Sequence, residues 1–231
     1  MKPRTVAIIQ ARMGSTRLPG KVMMAIGGQP LLTYLVRRIL KARTLDEVVV
    51  ATTQDARDDV IVDECEGRGI PCFRGSEPDV LGRYVEAARA WNAGIVVRVT
   101  ADNPFTDPGS IDRVVESIAY DGAEYAIEMD LPLGTTGEAL TSDALALIDA
   151  VAITPRWREH VTLYAKENSE ALHCAFLAAR SGLDRPDLSF TVDTLDEYLY
   201  AKQLADRFPN STFGLKNLIA VADETVVRSF A

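Results

Sequence analysis

The 231-residue sequence is short of cysteine, histidine and long apolar runs, and each shortage removes a class of protein. Cys65, Cys72 and Cys174 are odd in number and form no CxxC pair, so they read as reduced, mostly buried thiols. His160 and His173 are the only histidines, too few for a His-rich metal centre. No apolar stretch reaches the about 20 residues that a membrane-spanning helix needs. The start, MKPRTVAIIQA, lacks the pattern of a secretory signal, because its apolar run is short and leads into charge. A cytoplasmic location is therefore the expectation. Basic charge is also short: 25 Lys and Arg against 33 Asp and Glu leave a net charge of −8. A nucleic-acid surface needs a basic field, so none is expected. A small anion is still allowed, since a few cations in a cleft set a local potential opposite to the global one.

What is present is an alternation of apolar runs and helical patterns. VAIIQ (6–10), EVVVATT (47–53), PCF (71–73), GIVVRVT (94–100) and AEYAI (123–127) read as strands. Between them, residues 30–42 place Leu31, Leu35 and Ile39 on one helical face. The stretch 79–92 is a second helix after a charged one. Asp107 and Pro108 open a helix over 107–120 as N-cap and first helical residue. MDLPLGTTGEAL reads as a loop, followed by helices near Ser142–Ala152 and over 155–168. LHCAFLAA and LSFTVDT read as later strands, with helices at 194–207 and near 215–227 closing the chain. Strands alternating with helices predict an α/β protein with a mostly parallel sheet sandwiched by helices. With no repeat or linker, one domain over 1–231 is expected, with an insertion around 129–185 folding over one end of the sheet. Ligands of such sheets bind beyond the carboxyl ends of the strands.

IIQARMGSTRLPGK (8–21) places Arg12, Arg17 and Lys21 with Gly14 and Gly20 immediately after the first strand. A Walker A loop is excluded: five residues separate the two glycines, Val22 follows Lys21, and Pro19 removes a backbone donor. GxGxxG is absent as well. Spread cations, two glycines that allow close backbone approach, and the Ser15 and Thr16 hydroxyls suit a triphosphate. Thr52 and Thr100, at the ends of other strands, belong to the same end of the sheet. Triphosphate chemistry calls for Mg2+ on one or two carboxylates. Asp102 follows a buried strand and is either a ligand or a turn residue before Pro104. Thr194 and Glu197 have the spacing of a capping box, which leaves the Asp193 side chain free for metal or substrate.

ARMGSTRLPGK is similar to the signature ARxxSTRLPGK of the CMP-KDO synthetases. Together with ATTQDARDD (51–59), FRGSEPDVLGRY (73–84), VVRVTADNP (96–104), REH (158–160) and TVDT (191–194), it resembles the spore coat polysaccharide biosynthesis protein F family over about residues 5–200. That family consists of cytidylyltransferase-like proteins with the nucleotide-diphospho-sugar transferase fold, Rossmann-like and related to GT-A. The resemblance implies transfer of CMP from CTP to a sugar acid or a phosphorylated polyol or sugar, with release of pyrophosphate, in surface polysaccharide biosynthesis. Ala11, Arg12, Gly14, Ser15, Arg17, Lys21, Thr52 and Thr100 would bind the nucleotide, with Arg12, Lys21 and Asp102 catalytic. Mg2+ would sit on Asp102 and Asp193.

Glu77, Glu138, Arg158 and His160 would face the small anionic acceptor. Glu77 also fits a helix cap, and His160 also fits local packing. Relatives read P-D-G-x-D-x-E at 132–138. This chain keeps Pro132, Gly134 and Glu138 but has Leu133 and Thr136 at the acidic places, which puts the acceptor in question. The same route allows a homodimer. A GT-A-type glycosyltransferase and a non-catalytic nucleotide-binding homologue are the alternatives; Asp102-Asn103-Pro104 is not the D-x-D motif of the former.

Overall fold

The computed structural model describes residues 2–208 and 210–229. The first half runs β1 (Thr5–Gln10), a 3-10 turn (Lys21–Met23), the two-residue strands β2 (Ala25–Ile26) and β3 (Gln29–Pro30), α1 (Leu31–Ile39), β4 (Glu47–Thr53), α2 (Asp59–Arg68), β5 (Cys72–Gly75), α3 (Val80–Ala90), β6 (Ile95–Thr100) and α4 (Pro108–Asp121). The second half runs β7 (Tyr125–Glu128), β8 (Glu138–Thr141), α5 (Ser142–Val151), α6 (Pro155–Glu159), α7 (Leu163–Glu167), β9 (Cys174–Leu177), α8 (Leu195–Asp206) and α9 (Leu215–Ser229).

Seven strands form one sheet in the order β5-β4-β1-β6-β8-β7-β9. Every pairing is parallel except the two made by β8, which runs antiparallel to both β6 and β7. β1 and β6 are apolar on both faces because helices cover both. On one face, β1, β4 and β6 pack with Leu32, Leu35 and Ile39 of α1 and Ile111, Val114 and Val115 of α4. On the other they meet Leu81, Tyr84 and Val85 of α3 and Leu145 and Ile148 of α5. A third cluster joins Ile26 and Tyr34 to Phe190, Val192 and the inner faces of α8 and α9.

The chain moves outward from β1 to β4 and β5, then returns to β6 on the other side of β1. The order therefore reverses between β1 and β6, which opens a crevice at their carboxyl ends. Register fixes its floor: Gln10 lies beside Thr100, and the Ala101 N–H donates to the Gln10 carbonyl at 3.0 Å.

Three expectations need correction. Glu138–Thr141, read as loop, is a sheet strand: its ladder partners on β6 and β7 decide its state, whereas the Gly and Thr before it locally signal a turn. Residues 155–168 form two short helices and not one, because the backbone leaves the helical region at His160 (φ −101, ψ 66) before α7 begins. LSFTVDT is not a strand; it makes a single bridge at Leu133–Ser189, and Phe190 and Val192 point into the third cluster. Within residues 129–185, β8 and β9 join the sheet itself, and Glu159 and His160 line the cleft at its end.

Tyr84 ties α3 to the two central strands. Its fully buried hydroxyl lies 3.1 Å from the Ile8 carbonyl and 3.0 Å from that of Val99, and burial pushes its pKa up to about 12. Tyr84→Phe should lower unfolding free energy by about 1 kcal/mol, the net value of one such hydrogen bond. The readout is the midpoint of urea unfolding with an unchanged slope.

Candidate active site

The loop after β1 is folded from below. The buried Asp58 carboxylate accepts from the Met13 N–H at 2.7 Å and also from the Thr53 N–H and hydroxyl. The Ser15 and Gly20 N–H groups return to the Met13 carbonyl, and Gly20 takes a left-handed φ of +72° that lets the chain enter the Lys21–Met23 turn. Among the described residues, the N–H groups of Arg12, Gly14, Thr16 and Arg17 have no protein acceptor. Unspent backbone donors beside cations suit an anion.

Lys21 is 7% exposed and its Nζ meets three acceptors: Asp102 Oδ2 at 2.9 Å, Asp193 Oδ1 at 2.8 Å and the Val192 carbonyl at 2.8 Å. An ammonium has three N–H donors, so all are used. Arg17 reaches the other Asp193 oxygen at 2.9 Å. Burial alone would push Asp193 upward, but its bond to Lys21 and the charges of Lys21 and Arg17 hold it below the ordinary carboxylate value. Two backbone links bring Asp193 here: the Val192 N–H donates to the Asp102 carbonyl, and the Phe190 N–H to Leu133.

A cleft of about 340 Å³ lies over this floor. Its lining includes Ala11, Arg12, Ser15, Arg17, Lys21, Thr100, Asp102, His160 and Asp193, all singled out in the sequence. Arg12, Arg17, Lys21 and Arg83 face Asp102, Glu159 and Asp193, so cations outnumber acids here in a chain of net charge −8. Arg12 is loosely paired with Glu77 at 3.7 Å and Glu159 at 3.8 Å.

Other residues read as site residues do not line it. Thr52 is fully buried in β4. Gly14 packs beside Glu77 and Arg57, and Glu77 bridges Arg12 and Arg57 at the rim. Glu138 is buried beneath the sheet end; burial raises its pKa, but Arg98 and Lys166 outweigh this and lower it, with Lys166 Nζ bonded at 2.6 Å. Arg158 is held by Asp79 at 2.8 Å and Asp149 at 2.7 Å, while Asp79 caps α3 through the Gly82 N–H. These two were expected to face an acceptor, and each is instead spent on an internal ion pair. Sequence reading missed the role of Asp58, which directly follows the exposed residues Ala56 and Arg57 and carries no local signal of burial. Arg83 stood out in the sequence only as part of FRGSEPDVLGRY (73–84).

The architecture is that of the nucleotide-diphospho-sugar transferase fold. Residues 6–222 match the profile of the Cytidylyltransferase family, and the chain belongs to that family. It is 37% identical over 202 residues to the spore coat polysaccharide biosynthesis protein SpsF of Bacillus subtilis, covering 85% of this chain and 84% of that one. A cytidylyltransferase from Leptospira borgpetersenii superposes with a TM-score of 0.91 at 30% identity, covering 97% of this chain and 96% of that one. A CMP:2-keto-3-deoxy-manno-octonic acid synthetase solved with CTP shares the fold, with a TM-score of 0.68 at 17% identity over 89% of this chain and 99% of that one.

Arg158→Ala should leave nucleotide binding intact and destabilise the fold by about 1 kcal/mol, the value of a hydrogen bond to a half-exposed charge. The Asp79 pKa is lowered: burial raises it, but the Arg158 bond and the Gly82 N–H outweigh this. Its contribution is therefore complete above the unfolded value of 3.8 and disappears as pH falls through the lower folded one. The stability gap between wild type and variant should narrow below that value; a gap independent of pH between 2 and 7 (about the range over which carboxylates titrate) would exclude the Asp79 pair as its source.

Proposed function

We propose that this cytidylyltransferase transfers the CMP group of CTP to an acidic acceptor, a sugar acid or a phosphorylated polyol or sugar, and releases pyrophosphate. One observation carries the reading: Lys21, Arg17, Asp102 and Asp193 converge at the carboxyl ends of β1 and β6, opposite the unspent N–H groups of the opening loop. Family membership favours nucleotidyl over glycosyl transfer.

In this reading the triphosphate lies along residues 11–21. Free N–H groups and the Arg12 and Arg17 guanidinium groups bind its oxygens, and Ser15 adds a hydroxyl. Lys21 and Arg12 offset the charge that grows on the departing pyrophosphate. The Asp102 and Asp193 carboxylates fit a divalent cation, since one oxygen of each already converges on a single cationic atom, Lys21 Nζ. Among the described residues no third acid, His or Cys joins them, so phosphate oxygens and water would have to complete the set around a bound cation. Mg2+ held there would polarise the α-phosphate and favour in-line attack. Lys21 keeps the two like charges together in the free protein. His160 and Glu159, at the end of α6, are on the lining and are assigned to the acceptor. Leu133 is exposed and Thr136 bonds Ser110, so the acids that relatives carry at those places are replaced by groups that bring no charge.

The direct test is thermal unfolding with CTP, UTP, GTP and ATP, each with and without Mg2+. Ligand at a hundredfold excess over Kd stabilises the folded state by about 2.7 kcal/mol. A rise with CTP alone, followed by pyrophosphate release with a sugar acid or polyol phosphate, is expected. A rise with a nucleotide sugar and none with any triphosphate would reject the reading. In the same assay Lys21→Ala should lose about 2–4 kcal/mol of transition-state stabilisation, the range for one preorganised electrostatic partner. A rate equal to wild type would remove Lys21 from the chemistry.

A further inference from the structure

The buried and half-buried arginines of the core divide into two kinds. Arg38 is fully buried, donates to the Thr106 and Phe213 carbonyls, lies 3.6 Å from Asp107 and stacks over the Phe213 ring. Arg98 lies 3.7 Å from Glu138, and Arg113 is paired with Glu128. Each of these has a carboxylate, as a desolvated cation requires.

Arg83 differs. It is 2% exposed, yet it lines the cleft. Its Nη1 donates to the Ser76 carbonyl, its Nε has no partner, and among the described residues no carboxylate forms an ion pair with it. The acids whose field reaches it are Asp58 and Glu77. Asp58 is committed to Met13 and Thr53, and Glu77 to Arg12 and Arg57. Arg12 adds a second positive charge nearby, and burial, the largest influence, also pushes the guanidinium pKa down.

The side chain is nevertheless held in place. A Cβ on Gly75 would sit 2.9 Å from Arg83 Cγ, so the glycine at the end of β5 makes room for its stem. A fixed, buried, unpaired cation on a ligand cleft costs stability in the free protein and gains its partner when an anion enters.

We propose that Arg83 anchors an anionic oxygen of the bound substrate, a phosphate of the nucleotide or the acid group of the acceptor, and is a specificity-determining residue of the cleft. The proposal rests on the nucleotidyl-transfer reading. A phosphate or a carboxylate offers the same two-oxygen edge to a guanidinium, so the experiment separates the sources.

Arg83→Met keeps the stem and removes the charge; Arg83→Lys keeps the charge and removes the fork. Calorimetric titration of each with Mg–CTP and with cytidine gives the first arm. If the partner is a phosphate, the Met variant binds Mg–CTP about 10- to 100-fold more weakly, the equivalent of one hydrogen bond to a charged group. Cytidine affinity stays unchanged and Lys restores part of the loss. If the partner is the acceptor's acid, Mg–CTP affinity is unchanged, and the KM for the acceptor that wild type turns over rises by a similar factor with kcat less affected.

Folded variants with wild-type CTP affinity and wild-type acceptor KM would overturn the assignment while leaving the nucleotidyl reading intact. Failure of wild type to bind any triphosphate would overturn both. Should neither variant fold, the Nε–H resonance of Arg83 in the wild-type protein decides: it shifts on adding Mg–CTP or acceptor, and a resonance unmoved by both refutes the role.

Discussion

The ammonium of Lys21 is the point on which the cleft depends. It joins the loop after β1 to the end of β6 and to the segment before α8, and it does so with three bonds of 2.8 to 2.9 Å. Remove its charge and two carboxylates would face each other over the same small space with nothing to offset their repulsion. The backbone bond from Val192 to Asp102 holds the pair at fixed separation, so the repulsion could not be relieved by drift. The positive charge of the opening loop is therefore a condition of the fold at this end of the sheet as well as the proposed means of binding phosphate.

That double use organises the rest of the site. Arg17 reinforces Asp193 from the solvent side, Arg12 is held loosely between two exposed glutamates, and Arg83 is left without an acid. The four cations thus form a gradient of commitment, from fully spent to unspent. A polyanion in such a cleft can pair with the least committed charges without breaking an existing ion pair. Beneath them, Asp58 and Tyr84 fix the strand ends and the loop base by bonds to backbone, which keeps donors oriented in the absence of ligand.

Much of this was legible in the sequence. The continuous apolar runs of β1, β4 and β6 identify buried strands, and Asp107-Pro108 and Thr194 with Glu197 mark helix starts that the structure reproduces as a side-chain cap and a full capping box. The composition of the opening loop suggests an anion site, and among the described residues the N–H groups of Arg12, Gly14, Thr16 and Arg17 are left without protein acceptors. Other features depend on tertiary partners. β8 is a strand only because β6 and β7 flank it, and residues 188–194 look like one but donate to Leu133 and Asp102 at separate points. Arg158 and Glu138 have the residue types of ligand-binding groups, and only the positions of Asp79, Asp149, Arg98 and Lys166 show that they are spent. The approach of Asp102 to Asp193 across the length of the chain could come from resemblance alone, because no local rule links them.

The contact between Lys21 and Asp193 spans 172 residues. Closing so long a loop carries an entropic cost that short-range contacts avoid, and pairings of this range form late. During synthesis, the opening loop and its strand leave the ribosome long before the segment that completes the floor. An incomplete chain thus carries the cations without the second carboxylate, so it lacks the finished cleft. A triphosphate bound in that cleft, as proposed, would report that the segment before α8 is in place, and its binding energy would act as a clasp on this long loop.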